Sequence, residues 1–369
     1  MDIAVVGTSK KENERRVPIH PRHIAIVPDP VRRMLFFEQG YGEPFGISDA
    51  EIAALTGHQL LPREELIRLP AVIITKPVAA DFVQMSDGAI VWGWVHSVQQ
   101  HEITQLGIDK RLTLVAWENM HAETSRGRMH ILYKNNEMAG YCGVQHALQL
   151  RGIDGNFGPA RKVSILSMGS VSRGAIYALK GHGFYDITVY TRRPLFVAPN
   201  KVPGVRYRQI LWDGKSDFKA VSLLKENTLL IDELAQSDII VNAMLQDPNN
   251  PVIFIQDDDI GRFKRECLIV DISCDTGMGF SFAHPTGFES PTRRFGNITY
   301  YAVDHTPTLL WDSASWEISN GLLPLLPDFA NRKPNEVLDK ATDMKDGCIL
   351  NPDVLEYQCR AAEYPHPTV

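Results

Sequence analysis

Several common signals are missing from these 369 residues. No apolar run approaches the roughly 20 residues of a membrane-spanning helix, so no membrane partner is expected. The opening MDIAVVGTSKKENERR reads as a strand followed by charges, not as a secretory leader. The five cysteines (Cys142, Cys267, Cys274, Cys348, Cys359) are odd in number and lack metal-ligand spacing. Reduced thiols in a cytoplasm are the expectation. The net charge of −6 has the wrong sign for nucleic acid or an anionic lipid surface. There is no internal repeat and no low-complexity tract.

What remains is an ordinary globular composition, 44% hydrophobic and 22% charged. The length suits two domains better than one core. Strands are expected at 3–6, 34–38, 72–75, 90–94 and 112–117, with Ser48 capping a helix over 49–56. Residues 23–27 suit a short helix. Strands alternating with helical stretches make a parallel sheet covered on both faces. Residues 137–149 read as a long connecting helix with Met138, Tyr141, Cys142 and Leu148 on one side. Further strands are expected near Val163, Ile187, Val205, Ile239, Leu268 and Thr299. After Asp304 the chain reads mostly helical, over 315–326 and 334–341, and should return to the first domain. The expected fold class is α/β: two doubly wound, Rossmann-like domains with a cleft between them. Residues 1–136 with 305–369 would form a substrate domain, and 137–304 a dinucleotide domain.

The second domain is organised around residues 163–193. A short apolar run, the small-residue turn 167–174, a helix and a second strand make a dinucleotide-binding unit. A pyrophosphate would sit on the helix N-terminus, where unpaired N–H groups and the dipole favour negative charge. The turn departs from G-x-G-x-x-G: only Gly169 is glycine, with Ser167 and Ser172 in the outer places. NAD-binding units carry Asp or Glu at the end of the second strand to hold the ribose 2′-OH. Here the residues are Thr191, Arg192 and Arg193, which suit a 2′-phosphate and so NADPH. The plainer alternative is a solvated pair of loop arginines.

Ligands of open parallel sheets bind beyond the carboxyl ends of the strands. Lys76, His96, Glu118 and Asp275 each follow such a strand. Singly, Lys76 reads as a loop residue, His96 as a packed strand end, Glu118 as a helix cap and Asp275 as a turn residue. Their common placement is what points to a site. His96 and His101 lack a third ligand at fitting spacing, so no metal is expected.

The motifs carry a resemblance over nearly the whole chain. Lys11 to Val17 resembles the K-x-N-E-x-R-V opening of the alanine dehydrogenase and saccharopine dehydrogenase superfamily. Thr75-Lys76-Pro77, Trp94-Val95-His96 and Val270-Asp271-Ile272-Ser273-Cys274-Asp275-Thr276-Gly277 follow in that superfamily's order. The resemblance implies that Arg16 binds a 2-oxo acid carboxylate, that His96 is the catalytic histidine and that Asp275 is the active-site aspartate. Val303-Asp304-His305-Thr306-Pro307 looks like the D-H-x-P segment of saccharopine dehydrogenases. Ser172-Arg173-Gly174 together with Thr191-Arg192-Arg193 most resembles the carboxyethylornithine synthases. That branch joins pyruvate to the side-chain amine of ornithine or lysine and reduces the imine with NADPH.

The expected catalytic residues are therefore His96, Lys76 and Asp275. Arg16 and Lys76 would hold the oxo-acid carboxylate, with Glu118, Asp304 and His305 toward a cationic amino acid. Gly169, Ser170, Val171, Ser172, Thr191, Arg192, Arg193, Met244 and Leu245 would contact the cofactor. The expected partners are small molecules only, within a homo-oligomer. The alternatives are an amino-acid dehydrogenase of the alanine or saccharopine type, or a dinucleotide-binding protein without chemistry. The joint presence of Arg16, Lys76, His96 and Asp275 argues against the last.

Overall fold

The computed structural model describes residues 1–125, 127–196, 201–212, 214, 218–221 and 227–369. The chain forms two compact units, Met1–Asn135 with Leu310–Val369, and Asn136–Leu309.

The first unit contains a parallel sheet of β1 (Ile3–Val6), β2 (Leu35–Phe37), β3 (Ala71–Ile74), β4 (Ile90–Gly93) and β5 (Thr113–Ala116), in the order β2-β1-β3-β4-β5. Ile3 pairs with Leu35 on one side and Ala71 on the other. The order reverses between β1 and β3, which defines a doubly wound sheet. All four residues of β1 are buried because both faces are covered. Ile3 and Val5 join one apolar layer with Ile73 and Trp92; Ala4 and Val6 join the other with Val72, Ile74 and Val91. That split is the two-residue period of a strand. The Asp49–Thr56 helix starts on a reciprocal cap: the Ser48 hydroxyl accepts the Glu51 N–H, and the Glu51 carboxylate accepts the Ser48 N–H at 2.8 Å.

The polar stretch after β5 forms a hairpin of β6 (His121–Thr124) and β7 (Gly127–His130), which the sequence pattern did not predict. Its residues lack the apolar alternation that marks a half-buried strand. The next helix runs Tyr133–Arg151, a turn longer at its start than expected.

The second unit contains β8 (Val163–Leu166), β9 (Ile187–Thr191), β10 (Arg206–Trp212), β11 (Phe218–Val221), β12 (Asn227–Leu229), β13 (Ile239–Asn242), β15 (Cys267–Asp271), β17 (Thr292–Phe295) and β18 (Ile298–Tyr301) in one sheet. β14 (Ile253–Ile255) and β16 (Gly279–Phe280) pair separately. The sheet order is β12-β11-β10-β9-β8-β13-β15-β18-β17. From β10 to β18 the pairs are parallel; β11, β12 and β17 are antiparallel edges. The order reverses between β8 and β13, the switch point of a Rossmann sheet. The helix after β8 runs Ser170–Gly181, so the tight turn is shorter than expected.

The tail also differs from its mainly helical expectation. Beside the Trp311–Leu322 helix it supplies β19 (Thr342–Lys345) and β20 (Cys348–Ile349), and β19 pairs antiparallel with β5. Thr-Asp-Met-Lys has no apolar run; pairing with β5 is what makes it a strand.

In the second unit two helices meet backbone to backbone. A Cβ on Gly174 would lie 1.7 Å from the Glu137 carbonyl oxygen, and one on Gly140 would lie 1.9 Å from that of Val171. Both places are closed to any side chain. Gly174→Ala should therefore lower stability by about 1–3 kcal/mol, the usual cost of overpacking. Urea unfolding would measure it, and an unchanged midpoint would show that the two helices separate without cost. Among the described residues no helix is long and apolar enough to cross a membrane, and no group of His, Cys, Asp or Glu is placed to hold a metal.

Candidate active site

In the first unit, three turns follow β3, β4 and β5 at one sheet edge. Lys76 lies two residues beyond β3, and its carbonyl accepts the Ser9 hydroxyl. The neighbouring Thr75 hydroxyl donates to the Arg16 carbonyl at 3.1 Å. The ends of β3 and β4 come very close: a Cβ on Gly93 would meet the Ile74 carbonyl oxygen at 2.1 Å.

His96 has φ +47°, a left-handed conformation rare outside glycine. In that conformation its N–H donates to Glu118 Oε1 at 2.5 Å, and its Nδ1 lies 3.8 Å from the same oxygen. Glu118 sits in the short turn Trp117–Asn119 after β5. The side chain is 24% exposed along its length, yet Oε2 is buried and makes no hydrogen bond. Burial, and then the like charge of Asp343, raise this carboxyl to about 8; the His96 N–H and Lys76 oppose the rise. Its surroundings therefore favour the protonated form of Glu118, beside the His96 ring.

Arg16 is 3% exposed, and an internal carboxylate already engages its fork. Glu14 accepts from Nε at 2.8 Å and from Nη2 at 2.5 Å, while Nη1 donates to Asn135 Oδ1 at 3.0 Å. The guanidinium carbon stands 5.0 Å from the centre of the Trp94 ring. Three of its five N–H groups are thus engaged, leaving one N–H on each Nη without a hydrogen bond among the described residues. Glu14 was not among the expected site residues, although it is the glutamate of the quoted motif.

In the second unit, Ser167 adopts φ +92° and donates its N–H to the Tyr190 carbonyl at 2.7 Å. Gly169 is the N-cap of the Ser170–Gly181 helix, and no side chain caps that end. A Cβ on Gly169 would meet nothing within 4 Å, so the space above it is open. The hydroxyl of Ser172 is buried and unbonded in the helix's first turn. Ser170, Val171 and Ser172 thus present a helix start that fits a pyrophosphate. The corresponding turn of the first unit does not: the N–H groups of Gly7 and Thr8 donate to the Glu38 carboxylate at 2.8 and 2.9 Å.

Thr191 is buried at the end of β9, while Arg192 and Arg193 are exposed. The Thr191 hydroxyl accepts the Arg193 N–H at 3.1 Å. No described carboxylate pairs with either arginine. Met244 is buried after β13, and Leu245 beside it is 88% exposed.

Asp275 lies four residues past β15, half-buried, with its carbonyl accepting the Met278 N–H at 3.1 Å. The first aspartate of that motif is the buried one. Asp271 accepts from Asn242 Nδ2 at 2.9 Å, the Tyr300 hydroxyl at 2.8 Å and the Cys274 N–H at 3.0 Å. Burial pushes its carboxyl up to about 7 against those three donors. Asp304 pairs with the buried ring of His305, Oδ1 to Nδ1 at 2.5 Å. Lys76, His96, Glu118 and Arg16 belong to the first unit, and Asp275, Asp304, His305 and the dinucleotide turn to the second.

One doubly wound unit thus carries an uncapped strand–turn–helix start, and the other carries Lys76, His96 and Glu118 at its sheet edge. The chain belongs to the alanine dehydrogenase/PNT family, whose N-terminal domain matches residues 5–139 and whose C-terminal domain matches residues 161–355. An N(5)-(carboxyethyl)ornithine synthase of Clostridium botulinum is 28% identical over 325 residues, covering 82% of this chain and 90% of that one. An alanine dehydrogenase of Mycobacterium tuberculosis is 22% identical over 366 residues, covering 94% of each. Among solved structures, an L-alanine dehydrogenase superposes with a TM-score of 0.76 at 20% identity, over 97% of this chain and 99% of that one.

The state of Glu118 predicts a pH effect on stability. Its ordinary value is 4.5, and in the fold it is raised to about 8. Between those values the folded chain keeps a proton that the unfolded chain has lost. The contribution of Glu118 to stability therefore falls as pH rises through that window. Glu118→Gln keeps an acceptor for the His96 N–H without the charge. Its melting temperature relative to wild type should climb between about pH 5 and about pH 8. Parallel melting curves across that range would refute the assignment.

Proposed function

We propose that this chain joins a 2-oxo acid such as pyruvate to the side-chain amine of ornithine or lysine and reduces the resulting imine with NADPH. The observation that carries the cofactor assignment is the exposed pair Arg192–Arg193 directly after β9, with no described carboxylate against it. Two guanidiniums there would hold a 2′-phosphate by charge-assisted hydrogen bonds. The uncapped helix start at Gly169–Ser172 would hold the pyrophosphate. When bound, the nicotinamide supplies the hydride that reduces the C=N bond.

The rest is the work of the chain. Lys76 and the outer N–H groups of Arg16 would hold the oxo-acid carboxylate, or Lys76 would polarise the carbonyl oxygen. Amine addition and loss of water require a proton to be given and taken, and His96 beside protonated Glu118 is suited to both. On the second unit, Asp275 would balance positive charge or hold the amine, and Asp304 with His305 would recognise a cationic amino acid. The substrate class is supported by the relatives named N(5)-(carboxyethyl)ornithine synthase. The second reading, an amino-acid dehydrogenase using ammonia, is favoured by the alanine dehydrogenases that match the chain over nearly its full length.

The test is a turnover assay with NADPH or NADH, pyruvate and a panel of amines, with ammonia as control. Turnover with ornithine or lysine but not ammonia is expected; the reverse would establish the second reading. Replacing Arg192 and Arg193 with Ala should raise KM for NADPH and leave that for NADH nearly unchanged. Each lost charged contact is worth about 1.5–3 kcal/mol at most. A wild type that prefers NADH would overturn the cofactor assignment. His96→Ala should lower turnover by about 10²–10⁴-fold, the usual worth of acid–base help, while NADPH still binds. A folded His96→Ala protein with wild-type turnover would sink this role.

A further inference from the structure

The C-terminal segment reaches behind the two turns that carry His96 and Glu118. β19 pairs with β5 at Thr342–Val115 and Met344–Leu114. Between those pairs lies Asp343, only 2% exposed. Its Oδ1 accepts from Asn119 Nδ2 at 2.8 Å and from Asn351 Nδ2 at 3.0 Å, and its Oδ2 accepts the Ser97 hydroxyl. Ser97 follows His96, and Asn119 follows Glu118. Further along, the buried Gln358 donates its Nε2 to the carbonyls of Ser97 at 2.7 Å and Val98 at 3.1 Å. One distant segment thus grips both turns from behind.

The charges are also arranged. Lys76, His96 and Asp343 face Glu118, while the ring of His130 meets the backbone of its turn. Asp343 faces Glu118 and Asp353. Burial and then the Asp343 charge raise the Glu118 carboxyl. Three side-chain donors favour the charged form of Asp343. Glu118 has the His96 N–H and its own N–H, with Oε2 unbonded. Burial raises both carboxyls, and the three donors oppose that rise on Asp343.

We propose that Asp343 is a positioning residue: it fixes the His96 and Glu118 turns through Ser97 and Asn119 and sets a negative charge toward the Glu118 carboxyl. This rests on the reading of His96 and Glu118 as the proton-handling pair.

Asp343→Asn preserves the shape and most of the hydrogen bonds but removes the charge. The infrared carboxylic C=O band that Glu118→Gln abolishes reports the Glu118 proton without any substrate. Its titration midpoint should fall by about one pH unit in Asp343→Asn, a tenfold loss of proton affinity. The corresponding limb of the turnover–pH profile should move by the same amount. A folded Asp343→Asn protein with the wild-type midpoint, or one that only melts earlier, would overturn the proposal. If Asp343→Asn does not fold, Asp343→Ser, which also removes the charge, carries the test. The Glu118 midpoint should fall in the same direction, and an unchanged midpoint overturns the proposal. If no amine is turned over by wild type, the reaction reading fails, while the infrared titration still decides the role of Asp343.

Discussion

The hydrogen bond from the His96 backbone to the Glu118 carboxylate is the constraint on which the first unit's site depends. Making it requires His96 to turn left-handed, which an L-residue does only when its surroundings force it. The surroundings are the crowded ends of β3 and β4 and the grip of the C-terminal segment on Ser97 and Val98. The same bond occupies one Glu118 oxygen and leaves the other dry. That contact fixes the backbone conformation and favours the charged carboxylate, while burial raises Glu118 against it.

Buried carboxyls elsewhere in the chain follow the same logic with different outcomes. Asp271 and Asp343 each collect three donors, and those donors hold turns together. Glu38 accepts two backbone N–H groups and the Thr8 hydroxyl, and so fills the first unit's own strand–helix turn from within. The homologous place in the second unit has no such carboxylate and stays open above Gly169. Two units of similar topology thus differ at this turn by where one glutamate lies.

The architecture was legible because buried parallel strands are short apolar runs, and their flanking Gly, Pro and Ser residues mark the turns. Ile3–Val6, Val163–Leu166 and Ile239–Asn242 all read that way. The placement of Lys76, His96 and Glu118 followed from the rule that parallel sheets carry function at their carboxyl ends. What was not legible depends on partners distant in sequence. Asp343 lies in a strand with no apolar signature, and its bonds to Ser97 and Asn119 span more than two hundred residues. The paired strands His121–Thr124 and Gly127–His130 have only Ala122 and Met129 as apolar residues, too few to give a period to read. Glu14 was visible as a letter in a motif, but only the fold reveals that it claims the fork of Arg16.

Ser167 has a consequence for how such chains are found. It stands where the dinucleotide turn usually carries its first glycine, and it still takes up the glycine-like angle of φ +92°. The turn is therefore specified by the path of the main chain between β8 and the following helix, and the residue type only sets the cost of following it. A search written in letters will pass over relatives that kept the path and changed the letter. One written in backbone angles will recover them.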